Sequence, residues 1–429
     1  MSNMFAYLAF FLYLCNRFCI KRKMVRPKHI YIVVLLLLSS MPFVCAQNGT
    51  SSPFSRYGYG DLNENVPGAY RALGGVGIGM RNNKVINPSQ PASYTSCDSL
   101  TFMFDIAASG MWDQYKDASG VQNKGNGNLE YVTIQVPIWK QWIAASVGVL
   151  PYGSVGYAFS LSDSINSDYH YTTTYQGTGG FTQVYGGLSF NLLNWFAAGA
   201  NVYYMFGTMT NARSLTFTEG LKSTSQYQSI TISDVRLRYG AQLFHKFEHS
   251  SFCVGAIFEN KSDLKGTRLY YESITADTIA NDSSLMSDMP MTWGVGASYS
   301  YDGRFTLGVD YAMYCWADAR MLGLKNQYRN RGKLSVGFEY IHNPLGRRYV
   351  DHMPWRVGFS IADAYSLAVP GKDITVTVGT AFPLHNVGTV INTSLEYGHR
   401  GKADVLSENY IRFVLSASIA ENWFFKRKL

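Results

Sequence analysis

Between positions 234 and 243 every second residue is apolar. Val235, Leu237, Tyr239, Ala241 and Leu243 fall on one side, and Asp234, Arg236, Arg238, Gly240 and Gln242 on the other. A side-chain period of two marks a strand whose faces meet different surroundings. The same alternation runs through 131–136, 334–340, 355–362 and 411–419. A chain patterned this way folds as an all-β protein. Two architectures satisfy it: a soluble sandwich, or a barrel with apolar side chains toward lipid and polar ones toward a lumen.

Connection lengths separate the two. Strands are predicted at 99–113, 127–138, 142–161, 180–192, 196–212, 226–246, 250–263, 289–300, 304–317, 332–342, 354–363, 372–383, 388–399 and 409–421. The links Trp139–Trp142, Leu193-Asn194, His245–Ser250, Tyr301–Arg304 and the stretch near 386 are tight, whereas those near 114–126, 162–179, 213–225, 264–288 and 318–331 are long and polar. Only 343–353 runs long within the tight series. Short turns alternating with long loops over an even number of strands build a transmembrane antiparallel up-and-down β-barrel. The expected fold is such a barrel of about 14 strands. The 31 Tyr, 25 Phe and 8 Trp suit its interfacial girdles. Past the first 46 residues no apolar run of about 18 residues occurs that could cross as a helix.

Those first residues read as an export leader. From Met24, the expected functional start, a basic VRPKH precedes the apolar IYIVVLLLLSS and then MPFVCAQ. Val44 and Ala46 occupy the −3 and −1 positions, so 1–46 is the expected signal peptide, cleaved before Gln47. Lipidation at Cys45 is the alternative. The expected location is the outer membrane of a Gram-negative bacterium. Six of the 37 basic residues and none of the 29 acidic ones lie in the leader, which leaves 31 against 29. That balance excludes a basic nucleic-acid footprint. Cys97, Cys253 and Cys315, odd in number and widely spaced, are no disulfide framework.

No catalytic, cofactor or metal site is expected, and the chain is read as no enzyme. Gly75–Gly79 follows no strand and opens no helix, so it is no dinucleotide loop. His245-Lys246-Phe247-Glu248-His249 matches H-x-x-E-H in letters, but on an extended turn its histidines stand about 13 Å apart. The inward-facing charges Asp234, Arg236, Arg238, Asp310, Glu339, Arg356, Glu396 and Arg412 either line a solute path or brace a plugged barrel.

One stretch near the start carries a family resemblance. Arg71-Ala72-Leu73-Gly74-Gly75-Val76-Gly77, followed by Asn87-Pro88 and Ala92, resembles the amino-terminal signature of the long-chain fatty acid outer-membrane transporters, the FadL-like barrels. That superfamily also includes a shuttle barrel of the type IX secretion system. Val76 and Ser89 stand where the family has alanine. The resemblance implies an N-terminal lumenal hatch over 47–97 and a barrel over 98–429. Gly74, Gly75, Gly77 and Gly79 permit close approach and positive φ. Leu73, Val76, Ile78 and Met80 pack between them, and Asn87-Pro88 sets a turn. Arg56 and Asp61 are the expected partners of the wall.

Leu150-Pro151-Tyr152-Gly153-Ser154-Val155-Gly156, in the third predicted strand, is the second place of interest. Proline cannot donate to a ladder, and a closed barrel has no edge strand to hold it. A bulge at Pro151, Gly153 and Gly156 is therefore expected. The resembled transporters interrupt this strand to release solute sideways. The leading expectation is passive transport of a hydrophobic or amphipathic small molecule with lateral exit near Pro151. The alternative is a docking barrel in protein secretion or outer-membrane assembly. Expected partners are outer-membrane lipids, a hydrophobic ligand, the barrel-assembly machinery during insertion and an envelope protein.

Overall fold

The computed structural model describes residues 49–117, 120–166, 169–217, 223–274, 277–344, 346–384, 388–402 and 406–422. The expected leader and the terminal Phe425 to Leu429 lie outside the described residues. An N-terminal strand β1 (Asp61–Leu62) precedes the barrel proper. The wall begins with seven strands: β2 (Thr101–Asp117), β3 (Gly120–Trp139), β4 (Ile143–Asn166), β5 (Tyr169–Leu193), β6 (Phe196–Phe217), β7 (Thr224–Lys246) and β8 (Ser250–Glu259). An excursion, β9 (Ser262–Leu264), β10 (Gly266–Ile274), β11 (Asp277–Ser284) and β12 (Ser287–Met289), interrupts the meander. The wall resumes with β13 (Met291–Tyr301), β14 (Phe305–Cys315), β15 (Arg331–Ile341), β16 (Pro354–Asp363), β17 (Lys372–Pro383), β18 (Val390–Lys402) and β19 (Leu406–Asn422).

Every wall neighbour is antiparallel, β8 pairs with β13, and β19 pairs with β2 from Asn422↔Thr101 to Ser407↔Lys116. That last pairing closes a fourteen-stranded barrel. The predicted alternation sets its two faces. Val235, Leu237 and Tyr239 are exposed while Asp234 and Arg236 are buried. Trp139, Trp142, Trp195 and Trp355 are exposed beside the short turns, where an interfacial girdle belongs.

Four segments expected as long loops are largely strand. Those near 114–126, 162–179 and 213–225 continue β2 to β7 as tall hairpins, and 264–288 holds the β10–β11 hairpin. The upper half of β7 leaves β8 and pairs with β10, from Thr224↔Ile274 to Ile232↔Gly266. These extensions have solvent on both faces, so no apolar period announces them.

The described N-terminal residues fill the lumen. Chain reversal is fast here: a 3-10 turn at Pro53–Arg56, a short helix α1 (Gly68–Arg71) and a second 3-10 turn at Pro91–Ser96. Val66, Ala69, Tyr70, Leu73, Val76, Met80 and Val85 form their own small apolar core.

Candidate functional site

The site is the meeting of this lumenal segment with the wall. Arg71, at the end of α1, is buried and faces the wall at β18, β19, β2 and β3. Its guanidinium meets Glu130 of β3 at 2.5 Å and Glu396 of β18 at 3.4 Å. Glu396 also takes Arg412 at 3.3 Å. Gly74 has φ of +68°, and a Cβ there would lie 2.6 Å from the Phe359 carbonyl oxygen. Its N–H donates to Thr377 Oγ1 at 3.0 Å. Gly75 also has positive φ, +83°.

Asp310 of β14 acts as a clamp. Its carboxylate accepts from the backbone N–H of Gly77, Ile78 and Gly79 at 2.6, 2.6 and 3.1 Å. Asn87 donates to the Gly77 carbonyl at 2.8 Å, and the Pro88 carbonyl accepts from Asn201 and Tyr203 of β6 at 2.9 and 3.0 Å. The signature residues Arg71, Gly74, Gly77, Asn87 and Pro88 thus each touch the wall or brace a loop that does.

The remaining predicted charges pair within the wall. Arg356 donates to Glu339 at 2.6 Å, while Arg236 and Arg238 share Glu259, the latter at 2.9 Å. Asp234 is buried with one carboxylate oxygen unpartnered. Asp61 meets Arg400 at 2.8 Å, as expected of a wall contact. Arg56 also meets the wall, at Tyr175 of β5. It stacks over the Tyr175 ring at 4.0 Å, because aromatic faces rather than carboxylates line the wall there.

Sequence reasoning missed Glu64, Glu130, Glu259, Arg331 and Lys333. Glu64 pairs with Lys333 and, at 3.2 Å, with Arg331. Burial would raise its carboxyl, but Lys333 and Arg331 outweigh that and hold it well below the usual carboxylate range. Glu130 was hidden by parity. β3 shifts register against β2 between Ala107↔Tyr131 and Ala108↔Leu129, so Glu130 is an extra residue and turns inward beside Tyr131.

The second expected feature lies directly opposite. β4 shifts register against β5 between Pro151↔Thr182 and Gly153↔Phe181, which leaves Tyr152 as its extra residue. The ladder between β4 and β5 continues past the bulge to the top of both strands. The ladder between β3 and β4 does not. It runs from Trp139↔Ile143 to Val132↔Val149 and stops, just before Pro151 and just after the Glu130 bulge. Beyond it β1 takes the place of β3, pairing antiparallel at Asp61↔Ser154 and Leu62↔Gly153.

Asn63 joins the two bulges. Its backbone N–H donates to the Tyr152 carbonyl at 2.8 Å, and its side chain donates to Glu130 at 3.3 Å. Farther along, Ser55 Oγ accepts from Gly156 N–H at 3.2 Å, while Asn126 and Asn128 of β3 donate to Ser51 Oγ and the Gly49 carbonyl at 2.8 and 2.5 Å. A Cβ on Gly153 would lie 2.5 Å from the Tyr59 carbonyl oxygen, so this close approach requires glycine.

Cavities of about 130 and about 90 Å³ remain between this segment and the wall. Glu64, Arg331 and Lys333 line both, with Asp61, Arg71 and Arg400 in the first. Both are below the ~300 Å³ of an ordinary ligand pocket, and in the second the charges share the lining with Leu62, Ile78, Ile257 and Trp316. Among the described residues no His, Cys, Asp and Glu group could hold a metal.

A family model described as BamG matches residues 24–429. No curated protein sequence matches the chain. Among solved structures, the CymD monoaromatic hydrocarbon channel superposes with a TM-score of 0.58 at 13% identity, covering 84% of this chain and 99% of that one. A Pseudomonas aeruginosa FadL homologue gives 0.58 at 12%, with 84% and 99% covered. The Pseudomonas putida toluene transporter TodX gives 0.56 at 14%, with 85% and 100% covered. The barrel fold of these channels is thereby established for this chain.

Proposed function

We propose, on the premise that this chain belongs to the BamG family, that it is a docking barrel serving outer-membrane protein assembly. The family name points toward the barrel-assembly machinery as the partner. The observation that carries the reading is the bracing of the N-terminal segment against the wall inside the barrel. Arg71 ties Glu130 of β3 to Glu396 of β18, on the same side of the barrel across β2 and β19, and Asp310 of β14 binds three successive backbone N–H groups from another side. Buried, paired charges cost a great deal to separate, so a lumen braced this way is suited to permanence rather than flow. The two cavities left between the N-terminal segment and the wall, about 130 and about 90 Å³, are small and each holds the Glu64, Arg331 and Lys333 charges. The chain then works through its outer surface and rims, as a non-catalytic component.

A second reading has one specific observation in its favour. The β3–β4 ladder stops at Val132↔Val149 beside Pro151, where a hydrophobic molecule could leave sideways into lipid if the lumenal segment moved. The monoaromatic hydrocarbon channel CymD and the toluene transporter TodX share this fold, which makes a hydrophobic solute the cargo to try first.

Native purification from the outer membrane separates the two. The docking reading expects stoichiometric envelope-protein companions. A barrel that purifies alone, retains an apolar small molecule and is required for uptake of a hydrophobic probe would replace docking with transport.

A further inference from the structure

We propose that the free edge of β4 above Val149 is a strand acceptor. Residues 49–63 are its resident occupant, and an extended segment of a partner polypeptide takes their place when the barrel docks. The inference rests on the docking reading and names how that docking is made.

Four observations carry it. First, β4 continues for many residues after β3 has left it, and β5 satisfies only one of its edges. An unpaired strand edge is a template for another chain. Second, that edge already binds a strand: β1 adds to it antiparallel at Gly153 and Ser154, extended by the Asn63 bond to Tyr152. Above this short contact no described strand pairs with β4 from Tyr157 to Asn166 on that side, so the resident covers only the lower part of the edge.

Third, the resident defines what an occupant must look like. The Tyr59 ring packs against Trp316 at 5.5 Å and Phe181 at 6.3 Å. Gly60 has φ of +80°, and a Cβ there would lie 2.4 Å from the Ser154 carbonyl oxygen. Asp61 meets Arg400. The recognised pattern is therefore an aromatic residue in a turn, a glycine at positive φ and an acidic residue that opens a short extended pair at Asp61 and Leu62; main-chain bonds supply affinity and side-chain pockets supply specificity. Fourth, the resident leaves the pocket incompletely satisfied. Trp316 Nε1 and the Tyr328 hydroxyl, both buried beside Tyr59, have no hydrogen-bond partner. A partner segment that supplies acceptors there gains bonds that the resident does not make.

A tethered strand competes with any free one at an effective concentration of about 1 mM. A peptide offered at about 10 μM therefore loses to it by about a hundredfold. The probe is a synthetic peptide with the sequence of residues 49–66, carrying a photo-crosslinker in place of Leu62. It is offered to the purified full barrel and to a barrel lacking residues 49–62. The expected result is cross-linking of the shortened barrel between Tyr152 and Val155, with about a hundredfold higher yield than the intact one. A scrambled peptide stays at background.

Should the deletion not fold, full-length Tyr59→Ala serves instead, because it removes the resident ring from its pocket while leaving Trp316, Arg400 and the β4 edge that the peptide needs unchanged. A folded, heat-modifiable variant that captures no more peptide than the intact barrel overturns the inference. If native companions are retained by that barrel, docking itself stands and uses another surface. If no companions exist, the underlying reading has failed first.

Discussion

Two joints close this barrel, and they are built differently. At the β19–β2 joint the chain's last wall strand meets its first from Thr101↔Asn422 to Lys116↔Ser407, an unbroken ladder. At the β3–β4 joint, a hairpin with only a short turn between its strands, pairing stops at Val132↔Val149. Sequence proximity alone would make the hairpin the stronger of the two. The reverse holds because each hairpin strand carries an extra residue at the same height, Glu130 on one and Tyr152 on the other, and Pro151 brings no donor. What replaces the missing ladder is Asn63 with β1, held in turn by ions and glycines deeper in the lumen. One joint is closed by the wall, the other by the hatch.

The largest test of that difference is Arg71→Ala. It leaves Glu130 and Glu396 buried without their shared cation, a loss of about 3–5 kcal/mol. The expected outcome is a marked fall in the temperature at which the barrel loses heat-modifiable migration, together with new protease access to residues 49–66. Unchanged protection would mean that the β3 side of the joint does not depend on the hatch.

Asp310→Asn comes next. The neutral amide keeps one acceptor oxygen but loses charge-assisted bonds to three N–H groups, about 2 kcal/mol in all. Amide exchange at Gly77, Ile78 and Gly79 should accelerate while the β19–β2 joint is unaffected. Acceleration at both joints alike would argue that the two are not independent.

Gly153→Val is smaller and more local. Overpacking against the Tyr59 carbonyl costs about 1–3 kcal/mol and should detach β1 without touching Arg71. A thiol placed at position 62 should label faster in this variant. Equal labelling rates would show that β1 is not seated against β4.

The smallest effect is that of pH on Glu64. Its carboxyl is held low in the folded barrel, so its ion pair with Lys333 and Arg331 contributes above the unfolded value of about 4.3. That contribution fades as pH falls below this value toward the lower folded one. Cavity dye access should increase on acidification through this window, and Glu64→Gln should abolish the dependence. A dependence unchanged in that variant would assign it to another group.

The strands were legible because membrane on one side and paired charge on the other impose a strict period of two. Their upward extensions were not, since 162–179 and 213–225 are polar on both faces. Of the contacts that brace the N-terminal segment, one half could be read in advance. Arg71, Asp310, Glu396 and Arg412 stood out by motif or by inward parity. Their partners did not: Glu130 sits at a bulge that inverts parity, and Glu64 lies in a segment with no period at all. The interruption near Pro151 was legible from the imino acid itself. That β3 rather than β5 leaves β4 there depended on Glu130, and so required the fold.

Competition for Ser154 tests the account most directly. In a background without Cys97, Cys253 and Cys315, a thiol at position 154 can be paired with one at 61, its partner in β1. It can equally be paired with one at 127, the residue it would face if the Val132↔Val149 register continued upward. The account predicts rapid disulfide formation for Asp61→Cys with Ser154→Cys and none for Gly127→Cys with Ser154→Cys. Cross-linking through position 127 and not through 61 would mean that β3 closes this joint itself, and the contrast between the two joints would be gone.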